Sequence, residues 1–172
     1  LERLLFDLTN RDAEKDTALM AALATKGRYE TSQEMREGLN DFYGNYATEE
    51  ECADAIRELF EKTGYLIDTH TAVARAVYNK YRSETKDQTP SVIVSTASPF
   101  KFSGAVLNAI QNRELGERRT GQDAFALADQ LATLSACPVP VAISALREAE
   151  IRHTTVCAVL EMQNSLTDFL GI

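Results

Sequence analysis

Apolar residues recur at helical spacing along most of the chain, and the segment from 48 to 64 shows this pattern most clearly. Thr48 and Glu51 form a capping box at its start, and Gly64 is placed to end it. One stripe of the segment is apolar, which is typical of a helix that packs one face against a core. We therefore predict a helix whose buried stripe consists of Cys52, Ala55, Ile56, Leu59 and Phe60.

Comparable stripes, flanked by capping residues and glycines, predict several further helices. Asp12 and Gly27 flank one of them, and Thr31 with Glu34 forms a second capping box before a helix that stops at Gly44. The predicted helices outside 48–64 cover 12–26, 31–44, 69–81, 99–110, 123–134 and 141–149, together with a C-terminal helix that runs through residue 169.

Ser91 to Ser95 is the one convincing strand, because it is β-branched and apolar without alternation. That composition is typical of a strand covered on both faces, and such a strand needs neighbours. The chain offers two weaker candidates, at 65–67 and 151–157. Part of the sheet is therefore expected to belong to residues outside this chain. The amphipathic start at Leu1, without a capping residue before it, favours the same expectation, that the chain is the later part of a longer protein.

The charge balance argues against a nucleic-acid partner. Lys and Arg number 18 against 26 Asp and Glu, which gives a formal net charge of -8. An acidic domain repels phosphate backbones unless its basic residues are segregated. Here they are scattered, and the densest group is Arg113, Arg118 and Arg119.

The sequence also gives little support for a membrane-spanning segment, a zinc site or a disulfide framework. No apolar run approaches the roughly 20 residues that span a bilayer, and charged residues interrupt the first turns. We expect no membrane partner and a reducing cytoplasm. There is no Cys-x-x-Cys pair, and His153 is expected on the surface, so we predict no metal site and no disulfide framework. The three cysteines are Cys52, Cys137 and Cys157.

The turn that follows the predicted strand is the first place where chemistry is expected. Ser95, Thr96 and Ser98 bring three hydroxyls to the start of a helix, and Lys101 lies one turn further on. Such groups suit a phosphate, a carboxylate or a neutral ring nitrogen. Two interpretations stay open, since Ser98, with Pro99 behind it, also suits a plain helix cap while the other hydroxyls satisfy nearby backbone groups.

Asp68 and His70 occupy a second turn between an apolar run and a helix. An acid and a histidine so close in sequence suit acid–base chemistry. The alternative is that Asp68 caps the helix and His70 is held by a hydrogen bond. Both interpretations stay open from the residues alone.

These two turns resemble signatures of a known family. Gly64–Ala74 (GYLIDTHTAVA) and Val94–Phe102 (VSTASPFKF) are similar to motifs of the bacterial and fungal type of threonine synthase, and Leu1–Phe6 (LERLLF) resembles a third segment. The three occur in the family's order and at about its spacing. The likeness runs from Leu1 to the C-terminal helix and is loose beyond residue 103.

The resemblance implies a pyridoxal-phosphate enzyme of the tryptophan-synthase-β-like fold, a lyase of threonine biosynthesis. The family converts O-phospho-L-homoserine and water to L-threonine and phosphate. It implies an α/β fold whose C-terminal part is mostly helical, with few strands and a sheet that is incomplete on its own. The Schiff-base lysine and the loop for the cofactor phosphate lie upstream in the family. We therefore expect no catalytic residue in this chain, which alone is predicted to be inactive.

Motif by motif, the resemblance assigns Thr96 to the pyridine nitrogen of the cofactor, with Ser95 beside it. Lys101 is expected to attract the cofactor or substrate phosphate, and Asp68 and His70 to position groups of the site. Many relatives have Pro where this chain has Thr69, and His where it has Ser98, so no role of that histidine is carried over.

Two other functions are weighed against this one. The chain is alternatively part of another enzyme of the same fold type, such as a serine or threonine dehydratase, or a non-catalytic helical interaction module. In the main interpretation, residues 1–172 are the C-terminal part of a larger enzyme, with a cofactor-side segment at 1–110 and a helical segment at 111–172. Its partner is the N-terminal part of the same enzyme.

Overall fold

The computed structural model describes residues 1–117, 119, 121–152 and 154–172. Within these ranges the chain is helical and contains no β-strand. Short 3-10 helices cover Pro99–Phe102, Ala145–Arg147 and Val159–Glu161. The α-helices are α1 (Glu2–Leu8), α2 (Ala13–Lys26), α3 (Gln33–Glu37), α4 (Glu49–Thr63), α5 (Thr69–Thr85), α6 (Ser103–Ile110), α7 (Ala124–Ser135), α8 (Val141–Ser144) and α9 (Met162–Leu170).

The predicted caps set the bounds of α2 and α4. Asp12 caps α2, where its side chain accepts hydrogen bonds from the backbone N–H groups of the first turn. Thr48 and Glu51 form the predicted capping box of α4. Gly27 and Gly64 end the two helices at φ 70° and 72°, a left-handed conformation in which glycine has no Cβ to clash.

The predicted helix at 31–44 is wrong in both its cap and its length. Ser32 caps α3, with its Oγ accepting from the Met35 N–H at 3.2 Å, and no capping box forms between Thr31 and Glu34. The chain leaves the helix after Glu37. Tertiary contacts prevail beyond that point, because the Tyr43 ring packs edge-on against Tyr81 of α5 with 5.1 Å between centroids. The Tyr43 hydroxyl also bonds Glu84 at 2.6 Å.

The core lies where α4, α5, α6 and α7 meet. α4 packs against α5 and α6, and α6 packs against α7. Ile56, Val106, Leu107 and Leu131 are fully buried there. Each side chain of this size stabilises the fold by about 2 kcal/mol through removal from water. The buried stripe predicted for α4 is confirmed for Cys52, Ala55 and Ile56, and its last two members are half-buried.

The predicted strand at Ser91–Ser95 does not form within the described part of the chain. These residues are extended but belong to no ladder, and Val92 and Val94 are 90% and 72% exposed. The weaker strands at 65–67 and 151–157 are also absent from the described residues. A strand exists only through its neighbours, and the helical segments described here supply none. The expected mostly helical C-terminal part is confirmed, whereas the few strands expected with it do not form within the described residues.

The last thirty residues carry little of the core. The predicted helix at 141–149 is shorter, since α8 covers four residues and a 3-10 turn follows it. The predicted C-terminal helix is confirmed as α9, and neither α8 nor α9 has a buried side chain. His153, which was expected on the surface, lies outside the described residues. So does Arg118 of the basic group. None of the helices described is long and apolar enough to cross a membrane.

Candidate functional site

Asp68 is held at the start of α5 by the two elements before it. Gly64 ends α4, and the buried Leu66 and Ile67 fix the short extended segment that follows. Asp68 then caps α5, accepting from the His70 N–H at 3.0 Å and from the Thr71 N–H at 3.2 Å. Its side chain is fully buried. The capping interpretation of Asp68 is therefore the one that its contacts support.

The Asp68 carboxylate keeps its charge although it is buried. Burial raises its pKa. Hydrogen bonds from the Thr71 hydroxyl and from the backbone N–H groups of His70 and Thr71 lower the pKa, and together they outweigh the effect of burial. The net pKa lies below the ordinary value. A buried carboxylate with several donors is stabilised in its charged form. Asp68 is thus an anion near neutral pH that only accepts hydrogen bonds.

Thr71 joins the two sequence motifs. Its hydroxyl makes a short hydrogen bond to Asp68 and lies 3.0 Å from the Ser95 hydroxyl, 24 residues away in the sequence. The structure thereby brings two of the predicted site residues, Asp68 and Ser95, to the same place. The motifs of the sequence indicated no role for Thr71. The Asp-x-x-Thr spacing at a helix start was the available signal, since it places both side chains on the first turn.

Thr96 and Ser98 differ in what their hydroxyls do. The Ser98 Oγ accepts from the Phe100 N–H at 3.3 Å and caps the 3-10 helix that Pro99 opens, so its predicted capping role is confirmed. Thr96 is exposed, and its hydroxyl has no hydrogen-bond partner in the described ranges. A ligand can therefore reach the Thr96 hydroxyl without displacing a structural contact.

His70 and Lys101 both lie close to the Phe102 ring. The His70 ring is 5.0 Å from the Phe102 ring between centroids, and the Lys101 ammonium is 5.5 Å from the same ring. The His70 Nδ1 lies 3.4 Å from the Asp68 carboxylate, while 69% of the imidazole side chain is exposed. The structure therefore brings an imidazole and an ammonium to one exposed patch beside the two turns.

The other features of the described chain add no competing site. No group of three or more His, Cys, Asp or Glu residues suits a metal ion in the part of the chain that is described. A concavity of about 690 Å³ lies between α9 and the segment before it, with Met162, Leu166 and Phe169 in its wall. That concavity contains none of the residues predicted from the two motifs. The turns around Asp68 and Thr96 thus remain the candidate site.

Comparison with known proteins links this site to one family. A family model described as "Threonine synthase, C-terminal" matches residues 71–162, which include Thr71, Ser95 and Thr96. The human protein named threonine synthase-like 1 is 32% identical over 123 residues. The threonine synthase of Pseudomonas aeruginosa is 31% identical over 109 residues, or 63% of this chain.

A solved structure agrees in fold. The crystal structure of PLP-bound threonine synthase from Brucella melitensis aligns with 74% of this chain at 26% identity and a TM-score of 0.50. The chain covers 26% of that structure, 23% of the Pseudomonas enzyme and 16% of the human protein. The 172 residues thus span about a quarter or less of these relatives.

Proposed function

This chain belongs to the threonine synthase C-terminal family, and we propose that it is the C-terminal portion of an enzyme that converts O-phospho-L-homoserine and water to L-threonine and phosphate. The observation that carries the proposal is the exposed Thr96 hydroxyl between an extended segment and a helix, which has no hydrogen-bond partner among the described residues. The family model covers this turn. The structural relative is described as bound to pyridoxal phosphate, which is the cofactor of the family.

The residues present fit one end of that cofactor. Its ring nitrogen is a hydrogen-bond acceptor, and the Thr96 hydroxyl is a donor with no other partner in the described chain. Lys101 supplies positive charge within reach of the same turn, on the helix that Ser98 caps. No lysine of this chain is proposed to bond covalently to the cofactor. That lysine and the loop for the cofactor phosphate are proposed to lie in the rest of the enzyme.

Thr96 acts in this proposal by donating a hydrogen bond without giving up its proton. When bound, pyridoxal phosphate supplies an electron-withdrawing ring that stabilises negative charge on the substrate. A neutral hydroxyl leaves the ring nitrogen without a full positive charge and so moderates that withdrawal. Moderate withdrawal favours elimination and replacement at the β and γ carbons over transamination. His70 and Lys101 are proposed to position the substrate and its phosphate, and Asp68 holds the turn beneath them.

The extended segment Ser91–Ser95 supports the proposed N-terminal portion. Val92 and Val94 are exposed here although their composition is that of a covered strand. A neighbouring strand from the rest of the enzyme would cover them and pair their backbone groups. That pairing would also fix Ser95 and Thr96 at the carboxyl end of a strand, where open α/β sheets bind ligands.

Replacing Thr96 tests the proposal. In the gene product that contains this chain, Thr96→Val removes the hydroxyl and keeps the β-branched shape. We expect cofactor affinity to fall by about tenfold, because the ring nitrogen of the bound cofactor would lose its hydrogen-bond donor. Turnover should fall as well. Fluorescence titration with pyridoxal phosphate and a coupled phosphate-release assay measure the two effects.

Thr96→Ser is the matched control, because it keeps the hydroxyl and should retain cofactor affinity within a few-fold. Ser98→Ala is the second control, since it removes only the helix cap and leaves the proposed donor in place. If Thr96→Val binds the cofactor and turns over as the parent does, the Thr96 hydroxyl does not meet the ring nitrogen and the site proposal is wrong.

A further inference from the structure

The hydrogen bonds behind Ser95 have a fixed direction. Asp68 is a buried carboxylate that accepts hydrogen bonds only, so Thr71 donates its single hydroxyl proton to Asp68. The Thr71 oxygen, 3.0 Å from the Ser95 oxygen, can then only accept from it. The Ser95 hydroxyl therefore donates its hydrogen bond to the Thr71 oxygen. What Ser95 presents to its surroundings is a pair of oxygen lone pairs, backed through Thr71 by a buried negative charge.

Ser95 and Thr71 line a cavity of about 120 Å³ next to the candidate site. Its volume is a little below that of an apolar cavity of about 150 Å³ that holds a benzene ring, which limits an occupant to a small molecule. Tyr65 contributes a further wall. Aliphatic side chains from three separate segments also line it, namely those of Leu59, Ile67 and Ile93.

Arg75 brings the opposite polarity to the same cavity. It lies one turn after Thr71 on α5, so the two side chains share a helix face. In the ranges described, its guanidinium contacts no carboxylate, and its neighbour is the Tyr78 ring at 5.8 Å. Arg75 is half-buried, and its guanidinium retains N–H donors for an incoming carboxylate. One small cavity with mostly apolar walls is thus lined both by the acceptor oxygen of Ser95 and by the guanidinium of Arg75.

We propose that this cavity binds a small aliphatic α-amino acid, with the ammonium on Ser95 and the carboxylate on Arg75. An inorganic anion would satisfy Arg75 but would meet lone pairs at Ser95. A simple amine would satisfy Ser95 but would be repelled by Arg75. The amphoteric head of an amino acid suits both, and the aliphatic walls accept a short side chain. Ser95 lies beside Thr96 at the candidate site, but neither proposed contact involves the cofactor or a step of the reaction, so this site goes beyond the function proposed above.

The test titrates the 172-residue chain without cofactor, with L-threonine as the probe and two truncated analogues beside it. 3-Hydroxybutyrate lacks the ammonium, and 1-amino-2-propanol lacks the carboxylate. Shifts of the Ser95 and Arg75 resonances in NMR spectra report occupancy. We expect saturable binding of L-threonine and at least about tenfold weaker binding of each analogue, since each loses a charged contact.

Variants assign the two contacts. Arg75→Gln and Ser95→Ala should each weaken L-threonine binding about tenfold. Arg82→Gln is the matched control, because Arg82 lies over the same Tyr78 ring, also at 5.8 Å, but does not line the cavity. It should bind as the parent does. Circular dichroism checks that each variant keeps its helices.

Thr71→Val tests the direction of the hydrogen bonds. It frees the Ser95 proton, so L-threonine should bind more weakly while 3-hydroxybutyrate binds more strongly than to the parent. Equal binding of L-threonine, 3-hydroxybutyrate and inorganic phosphate would overturn the proposal in favour of a plain anion site. Unsaturable titration, or binding that Arg75→Gln leaves unchanged, would overturn it outright. Because no cofactor is present, these outcomes leave the Thr96 proposal to its own test.

Discussion

Asp68 has a part in both proposals, since it holds the turn of the candidate site and accepts the Thr71 proton behind Ser95. Its cap position follows from the sequence, because Asp before a helix satisfies backbone donors of the first turn. Its complete burial and its link through Thr71 to Ser95 do not follow, since they depend on two segments that meet only in the fold. Thr96 shows the same division between what the sequence predicts and what the fold adds. Its place in a motif was predictable, and the freedom of its hydroxyl became visible only in the structure.

The charge of Asp68 makes the stability of the chain depend on pH. Because its folded pKa is depressed, ionised Asp68 stabilises the fold above the unfolded value of about 4. That contribution is lost as pH falls through the folded pKa. We expect Asp68→Asn to lower the free energy of unfolding by about 2 kcal/mol at pH 7, from lost charge-assisted hydrogen bonds. The difference from the parent should shrink steadily below pH 4.

Urea unfolding of both chains between pH 7 and pH 2 measures this difference. Asp87, whose pKa is lowered to about 2 by hydrogen bonds from Tyr81 and Thr89, titrates in both chains and cancels. Asp123→Asn is the matched control, because Asp123 caps α7 in an exposed position and should cost less than Asp68. A difference between parent and Asp68→Asn that stays constant across the whole range would contradict the account.

At the scale of elements, α2 and α4 were predictable because their signals are local, whereas α3 and the segment 91–95 were not. The capping box at Thr48 and the glycine at 64 directly flank the helix they delimit. The end of α3 depends instead on Tyr43, which α5 holds by a ring contact and a hydrogen bond. The apolar pattern at Ser91–Ser95 is that of a strand covered by neighbouring elements. No described segment pairs with it, so no strand forms there.

The connection between α6 and α7 is organised around one buried amide. The Asn108 side chain is fully buried, donates to the carbonyls of Glu114 and Glu117 at 3.1 and 2.8 Å, and accepts from Arg119 Nε at 2.7 Å. We expect Asn108→Ala to lower the free energy of unfolding by about 2–3 kcal/mol, because these backbone and side-chain groups lose their partner. Thermal or urea unfolding measures it.

Arg113→Ala is the control within the same connection. It removes an ion pair with Glu117 whose side chains are about half exposed, and such pairs contribute about 0–1 kcal/mol. If Asn108→Ala were no more destabilising than Arg113→Ala, the buried amide would not be what orders this connection.

At the scale of the whole molecule, apolar surface marks where the rest of the enzyme is proposed to pack. The double substitution Val92→Lys and Val94→Lys should leave the stability of the 172-residue chain nearly unchanged, because both valine side chains are already exposed. In the gene product that contains the chain, the same double substitution should lower turnover and cofactor affinity strongly, since it would bury two unpaired charges. Urea unfolding of the chain and phosphate release by the gene product measure the two effects.

Threonine at the same two positions is the matched control, because it keeps the β-branched shape and adds no charge. That variant should retain most of the turnover. Full activity of the double lysine variant would mean that the segment stays exposed in the complete protein, and the proposed covering strand would be wrong.

The most direct test of the central claim is a product measurement. The gene product that contains this chain is supplied with pyridoxal phosphate and O-phospho-L-homoserine, and the products are quantified by NMR and mass spectrometry. In parallel reactions, L-threonine or L-serine replaces O-phospho-L-homoserine. The account predicts L-threonine and phosphate in equal amounts, with turnover reduced by Thr96→Val and retained by Thr96→Ser. Ammonia and a 2-oxo acid from threonine or serine, with no phosphate released from O-phospho-L-homoserine, would contradict it.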